Sequence, residues 1–140
     1  MRSEVTFPSD KIFLSGTLTV PKDDAPLPCV IMVHGSGAQD RDGNISGFNT
    51  QIFKYIADFL AEQGIASFRY DKRGCGKSEG NFNVAGLSEM VEDACAAIDC
   101  ISVQKDAVDA KGIYLLGRSE GAVLAPEIAS KRHNLAGILM

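Results

Sequence analysis

Apolar residues recur along this chain in two rhythms, one of period two or unbroken, the other close to the helical period. Val5-Thr6-Phe7 and the stretch Phe13 to Val20 alternate between apolar and polar, which predicts a β-hairpin turned at Ser9-Asp10-Lys11. Pro21 and the segment Asp23 to Pro28 break the alternation and predict a connection. Cys29-Val30-Ile31-Met32-Val33 is unbroken, as in a parallel strand buried on both faces. A long polar loop follows, from His34 to Asn49. From Thr50 the period lengthens: Ile52, Phe53, Ile56, Phe59 and Leu60 share one predicted helix face, and Gly64 ends that helix. Ile65 to Tyr70 reads as the next strand, and Asp71 to Asn83 as a Gly-rich loop. Leu87, Met90, Ala94, Ile98 and Ile101 mark a second amphipathic helix. Ile113 to Leu116 predicts a third buried strand, Ser119 to Arg132 a third helix kinked at Pro126, and Leu135 to Met140 a final strand.

A hairpin followed by strands alternating with helices predicts an α/β fold: one domain over residues 1–140, with a mostly parallel sheet and helices on both faces. Such sheets bind ligands outside the carboxyl ends of their strands. His34-Gly35-Ser36-Gly37, Asp71-Lys72-Arg73-Gly74 and Gly117-Arg118-Ser119 each follow a predicted strand directly, so all three belong on one rim.

Composition narrows the partners. A chain of 140 residues with 45% hydrophobic and 23% charged residues is that of a soluble globular domain able to bury a core. The net charge of −4 gives no basic footprint for nucleic acid, and no Lys/Arg block suggests a membrane surface. Met1-Arg2-Ser3-Glu4-Val5 lacks the apolar core of a signal peptide, so a cytoplasmic protein is expected. Cys29, Cys75, Cys95 and Cys100 have neither Cys-x-x-Cys spacing nor a histidine cluster; reduced thiols are expected, with no metal site and no cofactor.

Gly117-Arg118-Ser119-Glu120-Gly121 carries the chemistry. Strand, Gly-x-Ser-x-Gly, helix is the context in which the serine is a nucleophile raised on a strained turn; the plainer alternative is a Gly-rich turn with an N-cap serine. Gly117 and Gly121 leave room for a crowded backbone. The helix start aims the Glu120 N–H and a positive dipole end at a developing oxyanion. The loop after the first buried strand is where a second oxyanion donor is needed, and Ser36 N–H is the expected donor, with Gly37 N–H as the alternative.

Together with Asp71-Lys72-Arg73-Gly74-Cys75-Gly76-Lys77-Ser78 and Asp40-Arg41-Asp42-Gly43, these motifs resemble the α/β-hydrolase superfamily. Within it they look most like bacterial serine esterases near the dienelactone-hydrolase and prolyl-oligopeptidase-like groups. The resemblance runs along the whole chain but covers only the front half of that fold, so the domain is expected to be incomplete, lacking the last strands. It implies a small-molecule ester substrate and a triad whose acid and histidine lie on loops after later strands. Arg118 stands where histidine is usual, and a guanidinium is no replacement base. Neither histidine of the chain fits the role: His133 falls about 20 Å from Ser119 at the helical rise, and His34 belongs to the oxyanion loop. Asp71 and Arg73 are expected to brace their loop as a local ion pair. Two readings stay open at this point, a serine esterase completed from outside these residues and a non-catalytic α/β module. The apolar edge at 135–140 and uncovered helix faces predict self-association.

Overall fold

In the computed structural model, which describes residues 1–21 and 26–140, the N-terminal alternation forms an antiparallel hairpin. Its strands are β1 (Arg2–Ser9) and β2 (Ile12–Thr19), in register from Arg2↔Thr19 to Ser9↔Ile12. Of the connection expected over 23–28, residues 23–25 lie outside the described residues, and Leu27 and Pro28 belong to a strand instead. β3 (Leu27–Val33) begins at Leu27 rather than Cys29, because Leu27 pairs with Val108 across a register shift. There follow α1 (Ile52–Glu62), β4 (Ala66–Tyr70), α2 (Leu87–Ser102), β5 (Val108–Gly117), α3 (Glu120–Lys131) and β6 (Gly137–Leu139). The same Val108 pairing explains why β5 starts well before the apolar run at Ile113. β6 is shorter than the expected Leu135–Met140.

The strands lie in the order β1-β2-β4-β3-β5-β6. The first two pairings are antiparallel, and β4, β3, β5 and β6 run parallel. Parallel neighbours need crossovers, which the helices supply. α1 ends in a Schellman motif, with Gly64 N–H donating to Ala61 O at 3.1 Å and Ile65 N–H to Leu60 O at 2.9 Å. α3 continues through Pro126, which has no N–H to give the preceding turn. Among the described residues no helix is long and apolar enough to cross a membrane.

Helices cover both faces. α2 and α3 lie on the face that buries Phe7, Leu14, Phe68, Ile98, Ile113 and Ile128 in the larger core. α1 seals the opposite face with Phe53 and Ala57 over Val30 and Met32. Burying side chains of this size stabilises the fold by about 1.5–3 kcal/mol apiece. Two residues expected in these faces are not there. Phe59 of α1 is 60% exposed and Leu87, the first residue of α2, is 58% exposed. Leu87 sits at the end of its helix, where the stripe runs past the sheet, and the buried stripe of α1 is centred on Phe53 and Ala57 instead.

Candidate active site

The parallel strands end on one rim, so the loops after β3, β4 and β5 meet there. Arg118 and Ser119 make the two-residue step between β5 and α3, and Ser119 is held there at φ 56° and ψ −115°. A non-glycine residue held there stores roughly 1–3 kcal/mol and persists only when its surroundings fix it. They do so by close packing. A Cβ on Gly117 would come within 2.6 Å of Gly121 O, and one on Gly121 would collide with Val33 O and lie 2.7 Å from His34 O. The elbow therefore rests directly on the end of β3, where Arg118 N–H donates to Val33 O at 3.1 Å. The Ser119 side chain faces solvent, and its carbonyl accepts from Ala122 and Val123 N–H in the first turn of α3.

Across from it lies the loop after β3. Ser36, Gly37 and Ala38 form an exposed tip between buried Gly35 and Gln39. Gly35 passes so close to the elbow that a Cβ on it would stand 3.4 Å from Ser119 Cβ. Ser36 Oγ donates to Glu120 Oε2 at 3.3 Å, so the loop and the start of α3 are joined. The structure thus brings Ser36, Gly37, Ser119 and Glu120 to one place. Ser119 Oγ has no hydrogen-bond partner among the described residues. His133 is exposed beyond the far end of α3.

His34 is enclosed between the rings of Phe53 and Tyr70, with centroids 5.3 Å and 5.2 Å away. Burial, reinforced by the nearby Lys72 charge, pushes its pKa down to about 4, so the imidazole is neutral near pH 7. Nε2–H donates to Asp40 O at 3.0 Å, which ties the ring to the loop after β3. Burial also raises the Cys75 thiol, leaving it less reactive as a nucleophile.

The expected Asp71–Arg73 ion pair is not formed. Asp71 instead receives Arg41, with Nη2 to Oδ2 at 2.8 Å, and it accepts the backbone N–H groups of Arg41 and Lys77. Those donors outweigh the desolvation of its buried carboxyl and hold its pKa below the usual carboxylate range. Arg73 turns the other way, to Asp93, which also accepts the Ser9 hydroxyl at 2.5 Å. In an extended segment Asp71 and Arg73, two residues apart, would share a side; the chain instead turns at Arg73-Gly74, with Gly74 at φ 76°, and the two are carried to different partners.

The sequence reading assigned no role to Lys72 or Gln39, although both are buried beneath the rim. Lys72 Nζ donates to Gly35 O at 2.7 Å and to Gly37 O at 2.8 Å, and stands 3.9 Å from Glu120 Oε1. Gln39 Nε2 donates to Ser36 O at 2.6 Å. The available signal is position: Lys72 lies two residues past the end of β4, in a loop that belongs on the rim. Among the described residues no cluster of His, Cys, Asp or Glu has the makings of a metal site.

With this geometry in view, residues 26–140 match the family of serine aminopeptidases of type S33, and the chain belongs to it. Its fold is that of an α/β hydrolase, represented by the front portion. It is 38% identical over 127 residues to esterase EstD of Thermotoga maritima, an alignment covering 91% of this chain and 29% of that protein. The α/β hydrolase GrgF from Penicillium sp. sh18 superposes with a TM-score of 0.82 at 26% identity, covering 99% of this chain and 44% of that one. Est1E from Butyrivibrio proteoclasticus, with ferulic acid bound, gives a TM-score of 0.75 at 25% identity, covering 96% and 50%. The chain spans half or less of the length of these relatives.

Proposed function

We propose that this chain carries the nucleophile of a serine hydrolase that cleaves carboxylic esters by acyl transfer. The observation that carries the reading is Ser119 at positive φ between β5 and α3, in a chain of the S33 family with an esterase as its 38% identical relative. Ser119 Oγ attacks the ester carbonyl and loses its proton to a histidine. The N–H of Glu120, with that of Ser36 or Gly37, holds the oxyanion until the alcohol departs. Water then releases the acid and regenerates the serine. The histidine and its acid partner come from outside residues 1–140. Esters are chosen over peptides on the strength of the esterase relative.

A fluorophosphonate probe tests this on the full protein. Stoichiometric labelling that Ser119→Ala abolishes is the expected result. Absence of labelling favours a non-catalytic α/β module, and labelling that survives the substitution puts the nucleophile at a residue other than Ser119. For residues 1–140 taken alone, we also propose that the short strand β6 at the sheet edge, with Leu139 46% exposed, pairs with a second copy. A monomer in sedimentation at micromolar concentration rejects that pairing.

A further inference from the structure

We infer that Lys72, with Gln39 beside it, is the clamp that shapes the loop after β3 into an anion-binding nest facing Ser119. The inference rests on the hydrolase reading for its catalytic consequence, but not for the clamp itself. Three consecutive carbonyls, those of Gly35, Ser36 and Gly37, are each taken by a buried side-chain donor: Lys72, Gln39 and Lys72 again. In a trans peptide unit the N–H points opposite to its carbonyl. Pinning those three carbonyls inward turns the N–H groups of Ser36, Gly37 and Ala38 outward together. None of the three donates to a backbone or side-chain acceptor among the described residues. Gly37, at φ 89°, supplies the positive-φ step that successive like-facing amides require.

Lys72 suits this task and no other at the site. Its side chain is 6% exposed, and its ammonium is already engaged by two carbonyls, the Glu120 carboxylate and the face of Phe82 at 5.6 Å. It therefore touches no substrate; it is a positioning residue that ties the loops after β3 and β4 to the start of α3. Burying an ammonium is costly, and burial lowers its pKa from the ordinary lysine value. An apolar side chain would fill the space at lower cost, so the charge is explained by the bonds it makes to the loop.

The test uses Lys72→Met in the full protein, read two ways. By 15N relaxation, Ser36, Gly37 and Ala38 are expected to fall from an order parameter of about 0.85 to below about 0.6, with α2 unchanged. In ester hydrolysis, kcat is expected to fall about 100-fold with KM within twofold, as when an oxyanion donor is lost, and Lys72→Arg recovers part of the loss. Order parameters that stay near 0.85, or a raised KM at unchanged kcat, overturn the clamp. Should Lys72→Met not fold, Gln39→Met removes the middle anchor and is held to the same outcomes. If wild type and Ser119→Ala hydrolyse the ester equally, the hydrolase reading falls, and the order parameters still decide the clamp.

Discussion

The two faces of the hairpin half are buried by different means. On one, Phe7, Leu14, Leu18, Phe68 and Tyr70 pack beneath α2, with Phe7 meeting Phe68 and Tyr70 edge-on at 5.6 Å and 5.9 Å. On the other, Ser15, Thr17 and Thr19 are equally inaccessible, yet what covers them is charged. Arg41 donates to Glu4, Thr17, Ser15 and Asp71, and Arg69 reaches Asp42 and Thr19. Apolar packing is non-directional and tolerates a shifted partner. The polar face holds only while each donor meets its acceptor, because an orphaned buried charge costs far more than the pair contributes.

Substitution on the apolar face gives the largest effect. Phe68 is fully buried between two rings, and Phe68→Ala is expected to cost about 3–5 kcal/mol in urea unfolding, from lost transfer and the cavity left behind. A cost below about 1 kcal/mol means that face is not the centre of the core.

His34 joins the two faces, one side of its ring on Phe53 from α1 and the other on Tyr70. Its pKa is about 4 in the fold against 6.5 in the open chain, so the unfolded state binds more protons between those values. The stability it contributes is complete above pH 6.5 and is lost as pH falls toward 4, about 3 kcal/mol over the window. The carboxylates of Asp71 and Glu4, held by Arg41 below their ordinary values, lose their contribution as pH falls through the carboxylate range, so a variant at His34 is needed to single out the imidazole. Comparing wild type with His34→Gln across pH 7 to 4 isolates the imidazole, and identical slopes would reject the assignment.

The polar face is expected to betray itself by coupling. Arg41→Met strands Asp71, and Asp71→Asn strands Arg41, so the two costs overlap. The double variant is expected to be about 2 kcal/mol better than the sum. The Phe7–Phe68 contact should couple by only about 1 kcal/mol. Additivity within 0.5 kcal/mol at Arg41 and Asp71 would erase the distinction between the faces.

That distinction also marks what could be read from the residues beforehand. Leu14, Leu18 and the Cys29 to Val33 run announce their strands because apolar spacing is a local property. The elbow was equally legible, since Gly117, Ser119 and Gly121 are contiguous. Ser15, Thr17 and Thr19 are the polar half of an alternation that looks the same whether water or a guanidinium lies outside. Arg41 arrives from a loop far along the chain, and no periodicity foretells where such a loop folds back. Lys72 escaped for the same reason: its carbonyl partners belong to another loop, and carbonyls leave no trace in a sequence.

The smallest expected effect concerns the one large side chain of α1 whose spacing misled. Phe59 lies at the helical interval from Ile52 and Ile56, which suggests a shared face. At about 100° per residue, however, it stands about 160° round the helix from Ala57, and Ala57 and Phe53 are the residues pressed on Val30 and Met32. Ile56 and Leu60 lie together on one flank of that centre and are half-buried; Phe59 is turned outward. Phe59→Ala is therefore expected to cost under about 0.5 kcal/mol, against about 3–5 for Phe53→Ala on the same helix. Matched urea midpoints decide it: if Phe59→Ala costs more than about 2 kcal/mol, α1 buries a different stripe and the α1 face is more apolar than the two faces' contrast allows.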